Sequence, residues 1–200
     1  MTQYKLEKIK EKVQEQLDAP RYEHTIGVMY TASSMAMRYG ADMDKALLAG
    51  LLHDCAKCIP SDKKIELCKN NGIEITESEH KNPSLLHAKL GAFLAETCYE
   101  VKDKEILEAI TYHTTGRPNM SLLDMTIYIA DYIEPNRREA PNLDRIRKLA
   151  FENIEECLLA ILEDSLAYLQ TKSEVIDPMT EKTYLYYKTS KEQSTWNNQN

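Results

Sequence analysis

Several residues that can bind a metal ion occur where the sequence pattern predicts burial. His53 and Asp54 directly follow residues 46–52, a run that is apolar on every face of a helix. Asp131 directly follows residues 125–130, a second apolar run that contains no basic residue. Because a buried carboxylate is costly without a partner, both acids need a positive charge from elsewhere in the fold. A metal cation is the natural candidate.

The histidines strengthen this interpretation. His24, His87 and His113 each share a predicted helix face with apolar residues three, four or seven positions away, whereas His80 lies in a polar segment. A single buried histidine is more often a hydrogen-bonded core residue than a ligand. Four histidines and two aspartates on core-facing positions of five helices favour a metal site instead. Mixed nitrogen and oxygen ligands suit Fe, Mn, Co, Ni or Zn.

The elements that must position these residues are predicted to be helices, so the fold class is all-α. Residues 72–82 are polar and are predicted to form a loop. The apolar periodicity predicts helices at 2–17, 20–38, 44–55, 62–69, 83–99, 103–113, 121–133 and 143–171.

One domain is expected over residues 1–190 of the 200-residue chain. We expect a metal-binding core at 17–140, C-terminal helices at 141–190 that close the pocket, and a disordered tail at 191–200. The formal charge of −7 argues against binding of a nucleic acid polymer, which requires a basic surface.

Composition also predicts a reduced, cytoplasmic protein. The five cysteines are odd in number and scattered, so they do not indicate a disulfide framework. No apolar stretch approaches the length needed to span a membrane. A domain of this size is compatible with a homodimer, although nothing in the sequence indicates one.

The order His24, His53-Asp54, Asp131 resembles the H…HD…D signature of the HD superfamily of metal-dependent phosphohydrolases. Local segments are similar to one bacterial branch of that superfamily, the HD-domain symmetrical diadenosine tetraphosphate hydrolases. The similar segments are 21–25, 51–57, 113–116 and 129–137, and the resemblance extends over nearly the whole chain.

The resemblance implies an HD-type helical bundle with a metal site in its core. It implies hydrolysis of diadenosine tetraphosphate into two molecules of ADP. It also implies iron as the metal, as one or two ions, although Mn, Co, Ni or Zn would suit the ligands too. One departure concerns the C-terminal segment, where the family often has His-Pro and a later Arg-Asn. This chain has Asp177-Pro178 and then Lys182-Thr183-Tyr184.

The expected roles follow from the resemblance and from proximity to the ligands. The first metal would be bound by His24, His53, Asp54 and Asp131, while His87 and His113 would bind either a second metal or a phosphate. The catalytic residues would be Asp54, Asp131 and Lys57, with Arg21 and Arg117 as weaker candidates for phosphate binding. The substrate-binding residues would be His24, His87, His113, Tyr132, Arg137, Val175, Ile176, Asp177, Pro178 and Met179.

Three other functions remain open at this point. The chain could be an HD phosphohydrolase that acts on a nucleoside monophosphate, a deoxynucleoside triphosphate or a guanosine alarmone. It could be a di-iron oxygenase, or a nucleotide-sensing module without turnover. Six intact ligand residues argue against a pure sensor, because a sensor has no need of an activated water. All of these functions predict a bound metal.

Overall fold

The computed structural model describes residues 3–171 and 175–197, and every regular element in these ranges is a helix. The prediction of an all-α fold is therefore confirmed. The helices are α1 (Gln3–Gln16), α2 (Ala19–Tyr39), α3 (Met43–Leu52), α4 (Ser61–Asn70), α5 (Glu77–Lys81), α6 (Leu86–Thr97), α7 (Lys104–Tyr112), α8 (Leu122–Ile133), α9 (Leu143–Glu152), α10 (Ile154–Thr171) and α11 (Pro178–Asn197), with a 3₁₀ turn at Pro83–Leu85.

Helices α2 and α3 begin and end at residues suited to those positions. The Asp18 side chain caps the start of α2, and Gly40 ends that helix with a φ of 76°, a conformation that glycine adopts without strain. Asp42 caps the start of α3, and His53 occupies the capping position directly after its last residue. These caps fix where the turns of α2 and α3 lie, and so fix the directions in which His24 and His53 point.

Gly50 allows α2 and α3 to pack closely together. A Cβ atom built at Gly50 would lie 2.8 Å from the Cα atom of Met29 on α2, closer than real Cβ contacts allow. The absence of a side chain at this position lets the backbones approach. The contact brings the end of α3, with His53 and Asp54, close to His24.

Helix α8 lies at the centre of the bundle and packs against α2, α3, α7, α9 and α10. Ser121 and Asp124 form a capping box at its start. Its residues 123–130 are all buried, and Asp131 follows them. No helix within the described residues is long and apolar enough to cross a membrane.

Two predicted boundaries are wrong. The polar segment 72–82 is not entirely a loop, because Thr76 and Glu79 form a capping box that begins α5. The helix predicted over 143–171 is interrupted at Asn153, whose φ of −148° and ψ of 107° are extended. The Asn153 side chain accepts a hydrogen bond from the backbone N–H of Glu156 and so helps to begin α10.

The C-terminal segment also differs from the expectation of a disordered tail at 191–200. Helix α11 continues to Asn197, and residues 198–200 lie outside the described part of the chain. Asp177 begins this helix, because its side chain accepts a hydrogen bond from the backbone N–H of Met179 at 2.8 Å. The Tyr187 side chain, which is 9% exposed, anchors α11 because its hydroxyl oxygen accepts a hydrogen bond from the backbone N–H of Met120, just before α8, at 2.8 Å.

Replacing Gly50 by alanine is expected to destabilise the fold, because the new methyl group would push α3 away from α2. Overpacking of this kind costs about 1–3 kcal/mol. Urea unfolding of the metal-free protein measures the change. The matched control is Gly91→Ala in α6, where the added Cβ would meet its nearest atom at 3.5 Å, an ordinary contact. Equal losses of stability in both variants would contradict the close-packing argument.

Candidate metal centre

Asp54 lies at the centre of a cluster that contains all four predicted histidine ligands. Its Oδ1 atom lies 3.2 Å from Nε2 of His87 and 3.6 Å from Nε2 of His113. Its Oδ2 atom lies 3.6 Å from Nε2 of His53 and 3.9 Å from Nε2 of His24. The two carboxylate oxygens thus face two different pairs of imidazoles, which is the arrangement that a bridging carboxylate requires.

Asp131 completes one side of the cluster. Its Oδ1 atom lies 3.0 Å from Nε2 of His24 and 4.0 Å from Nε2 of His53. Among the described residues, two groups of three have ligand atoms that all lie within 4.8 Å of one another, namely His24, His53 and Asp131, and His53, Asp54 and His113. His53 is common to both groups, and His87 joins them through its contact with Asp54, so the structure brings together the six residues selected from the sequence.

The imidazole rings are oriented by acceptors behind them. The Nδ1 atoms of His53, His87 and His113 each lie 2.5–2.7 Å from the carbonyl oxygen of the residue three positions earlier. A carbonyl oxygen can only accept a hydrogen bond, so each Nδ1 carries the proton of the neutral ring. The Nε2 lone pairs consequently point into the cluster, as in metal sites with ordered outer contacts.

Burial keeps two of these rings neutral, because it lowers the pKa of His53 and of His87 to about 4. The Nε2 atoms of His87 and His113 lie 3.1 Å apart, and two lone pairs at that distance repel each other unless a cation or proton lies between them. Among the described residues, Nε2 of His24, Nε2 of His53 and Oδ1 of Asp54 are buried without a hydrogen-bond partner. Unpartnered buried acceptors of this kind fit a metal ion.

The two carboxylates are held in their charged form. Burial alone would raise the pKa of Asp54, but the surrounding imidazoles and Lys57 hold it well below its ordinary value. Burial would likewise raise the pKa of Asp131, but His24, His53 and Arg137 lower it. The cluster therefore presents two negative charges together with the neutral imidazoles of His53 and His87, a mixed oxygen and nitrogen donor set that suits a divalent transition metal.

Three basic side chains surround the centre. Nη1 of Arg21 lies 2.8 Å from Oδ2 of Asp54, and Nη2 of Arg137 lies 2.9 Å from Oδ1 of Asp131. Nζ of Lys57 lies 3.7 Å from Oδ1 of Asp54. The side chains of Arg21, Lys57 and Arg137 are 32%, 33% and 36% exposed, so each can reach both the centre and solvent.

Arg21 is closer to the centre than its sequence context suggested, whereas Arg117 is not part of it. Arg117 forms ion pairs with Glu108 and Asp124. Arg21 lies three residues before His24, one helical turn away on the same face of α2, and this spacing was the available signal.

Sequence reasoning missed two residues at the centre. The Thr114 hydroxyl lies 3.3 Å from Nε2 of His87 and 3.2 Å from Nε2 of His113. Glu134, which is 1% exposed, places Oε1 3.1 Å from Nδ1 of His24. Glu134 directly follows the apolar helix α8 and lies three residues beyond Asp131, so the burial signal that selected Asp131 also applied to it.

A cavity of about 310 Å³ opens beside the centre. Both polar residues of the centre and aromatic and aliphatic residues of α8 and α10 line it. Its lining includes His113, Thr114, Asp131, Arg137, Tyr128, Tyr132, Ile161, Tyr168 and Leu169. Among the described residues, none of 175–179 lines this cavity, and the Asp177 side chain instead accepts a hydrogen bond from the Ser78 hydroxyl at 2.6 Å.

Adding a divalent metal ion to metal-free protein is expected to raise its melting temperature, because the ion binds only the folded cluster. At a free concentration ~100 times Kd, the stabilisation would be about 2.7 kcal/mol. Asp54→Asn should lose most of this increase, since it removes the charge that both sides of the cluster share. Asp62→Asn, an exposed control in α4, should retain it. An undiminished increase in Asp54→Asn would contradict the proposed centre.

Comparisons with known proteins agree with this geometry. The HD domain family matches residues 21–136. A Bacillus subtilis protein named "Bis(5'-nucleosyl)-tetraphosphatase, symmetrical" is 42% identical over 86% of this chain and 91% of its own length. A Staphylococcus aureus protein of the same name is 33% identical over 94% of this chain and 96% of its own.

A solved structure is also similar. The crystal structure of a "predicted HD superfamily hydrolase involved in NAD metabolism" from Clostridium acetobutylicum superposes with a TM-score of 0.89 at 40% identity. It covers 95% of this chain and 99% of that one. The matched HD segment contains His24, His53, Asp54 and Asp131 in the order of the family signature. The chain therefore belongs to the HD domain family, in the branch of the symmetrical bis(5'-nucleosyl)-tetraphosphatases.

Proposed function

We propose that this chain hydrolyses diadenosine tetraphosphate symmetrically, giving two molecules of ADP. The observation that carries the proposal is the cluster of inward-facing Nε2 atoms and two carboxylates, flanked by Arg21, Lys57 and Arg137. Such a site suits a metal ion and a polyphosphate at the same time. The names of the Bacillus subtilis and Staphylococcus aureus relatives supply the substrate class.

The metal is proposed to be iron, as one or two ions, with Mn, Co, Ni or Zn as other metals that suit the ligands. His24, His53, Asp54 and Asp131 would bind the first ion. His87 and His113 would bind a second ion through the shared Asp54, or would contact a phosphate. When bound, the metal would lower the pKa of a water and neutralise charge on the reacting phosphate.

The remaining residues would bind and orient the substrate. Asp131 is 25% exposed, in contrast to Asp54 at 2%, so its carboxylate can accept a hydrogen bond from the attacking water and orient it. Arg21 and Arg137 already contact the two carboxylates, and sharing that charge with a metal would free their guanidinium groups to bind phosphate oxygens. Lys57 would bind phosphate on the side of His87, where its Nζ lies 3.1 Å from Nε2.

Two openings meet at the centre, and this suits a substrate with two equivalent halves. One is the cavity that contains Tyr132, and the other is a cleft that contains Pro20, Arg21, His24 and Arg138. Arg137 lines both. We propose that each opening takes one nucleotide half, so that the phosphates nearest the scissile bond lie between Arg21 and Arg137.

The C-terminal helices would close the nucleotide cavity. Ile161, Tyr168 and Leu169 of α10 contribute apolar surface on which a base can pack. Contacts from Val175, Ile176, Asp177, Pro178 and Met179 remain a proposal that rests on the family resemblance. The tethering of Asp177 to Ser78 holds this segment against α5.

Metal-loaded protein incubated with diadenosine tetraphosphate is expected to give ADP as the sole nucleotide product, measured by chromatography. His53→Ala and Asp54→Ala should abolish turnover, because each removes a ligand. Formation of AMP together with ATP would place the attack on a different phosphorus. Dephosphorylation of mononucleotides without cleavage of the dinucleotide would assign the site to another HD phosphohydrolase activity.

Arg137→Ala is expected to lower kcat/KM for diadenosine tetraphosphate by about 10- to 100-fold, since hydrogen bonds to charged groups contribute about 1.5–3 kcal/mol. Steady-state kinetics measure the change. The matched control is Arg145→Ala, which removes an exposed arginine of α9 that lines neither opening. Equal kinetics in both variants would exclude Arg137 from phosphate binding.

A further inference from the structure

We propose that Glu134 is a positioning residue that couples the metal ligand His24 to the loop carrying Arg137, and that Gly27 provides the space it needs. The inference rests on the proposed metal site and deepens it. It concerns three residues that are brought together from α2 and from the end of α8.

The first step is the orientation of His24. His53 and His113 stand at the C-terminal ends of α3 and α7, where carbonyl groups lack helical partners and can accept from an imidazole. His24 lies inside α2, where the carbonyls are used by the helix itself. Its Nδ1 therefore needs a side-chain acceptor, and Oε1 of Glu134 lies 3.1 Å away. This contact directs Nε2 of His24 toward Asp54 and Asp131.

The second step concerns the other oxygen of the same carboxylate. Oε2 of Glu134 accepts a hydrogen bond from the backbone N–H of Asn136 at 2.7 Å. The backbone N–H of Arg137 donates to the Glu134 carbonyl at 3.0 Å. The turn held in this way lets Nη2 of Arg137 reach both the carbonyl and Oδ1 of Asp131, each at 2.9 Å. One buried carboxylate thus orients a metal ligand and a phosphate-binding arginine.

The third step explains a glycine in the middle of a helix. Glycine costs about 1 kcal/mol relative to alanine at such a position. A Cβ atom at Gly27 would overlap Oε2 of Glu134 and approach its Cδ at 3.2 Å. Because Gly27 lies three residues after His24, about one helical turn away, the Glu134 carboxylate can pack against the backbone of α2 and still reach the imidazole that it orients.

The chemistry of glutamine provides a sharp test. An amide has one acceptor oxygen, so Glu134→Gln cannot accept from both His24 and Asn136. If its oxygen faces Asn136, its NH₂ group faces Nδ1 of His24 and requires that atom to accept. The proton would then move to Nε2 and occupy the lone pair needed by the metal. If its oxygen faces His24, the NH₂ group opposes the Asn136 N–H and loosens the loop.

Titration of metal-free protein with Co²⁺, followed by the visible absorption of the bound ion, measures this effect without substrate. Glu134→Gln is expected to weaken Co²⁺ binding by about 10- to 100-fold, the range typical for outer contacts of ligating histidines, and to alter the spectrum. Glu11→Gln removes the same charge at an exposed position of α1 and should bind Co²⁺ like the unmodified chain. Unchanged affinity and spectrum in Glu134→Gln would overturn the proposal.

A double-mutant cycle tests the role of Gly27. Gly27→Ala alone should weaken Co²⁺ binding by displacing Glu134, but it should have little further effect when combined with Glu134→Ala, which vacates the space. An equal effect of Gly27→Ala in both backgrounds would overturn this part. If Co²⁺ affinity behaves as expected while diadenosine tetraphosphate is not cleaved, the positioning role stands and the proposed substrate fails.

Discussion

The structure depends on a carboxylate buried among imidazoles. Asp54 is 2% exposed, and its two oxygens face four histidine side chains from four helices. A charge at such a depth is stable only when other groups compensate it. The helices must therefore hold their histidines at fixed distances from Asp54. The apolar packing between the helices has to be compatible with those distances. Close contact of α2 with α3 at Gly50 is one consequence.

Groups at the ends of helices orient several of the side chains at this centre. His53 and His113 use carbonyls left free at helix ends, and Asp18 fixes the start of the helix that carries His24. Hydrogen bonds of this kind orient a ring without adding charge to the site. Only His24 receives a charged acceptor, from Glu134. The difference follows from the position of His24 within a helix.

Much of the centre could be predicted from the sequence, because the six ligand residues interrupt apolar periodicity. Their mutual arrangement required the fold, since no local pattern shows that Asp54 rather than Asp131 lies in the middle. Arg21 is only a weak phosphate-binding candidate from the sequence, because an exposed arginine near a helix start usually contacts solvent. The break at Asn153 was missed because the residues on both sides continue the helical pattern, so a single side-chain cap decides the boundary. The role of Asp177 in beginning α11 depends likewise on a local hydrogen bond.

The arginines at the centre suit two roles. Arg21 and Arg137 form ion pairs with Asp54 and Asp131 in a largely buried site. If a metal ion shared the charge of those carboxylates, as proposed, the same guanidinium groups would compete less strongly for them and would be able to bind phosphate oxygens. Their partial exposure is what allows the change, since a fully buried arginine would pay a large cost to leave its partner. The residues that pair with the two carboxylates are thus the same ones that we propose to bind the substrate.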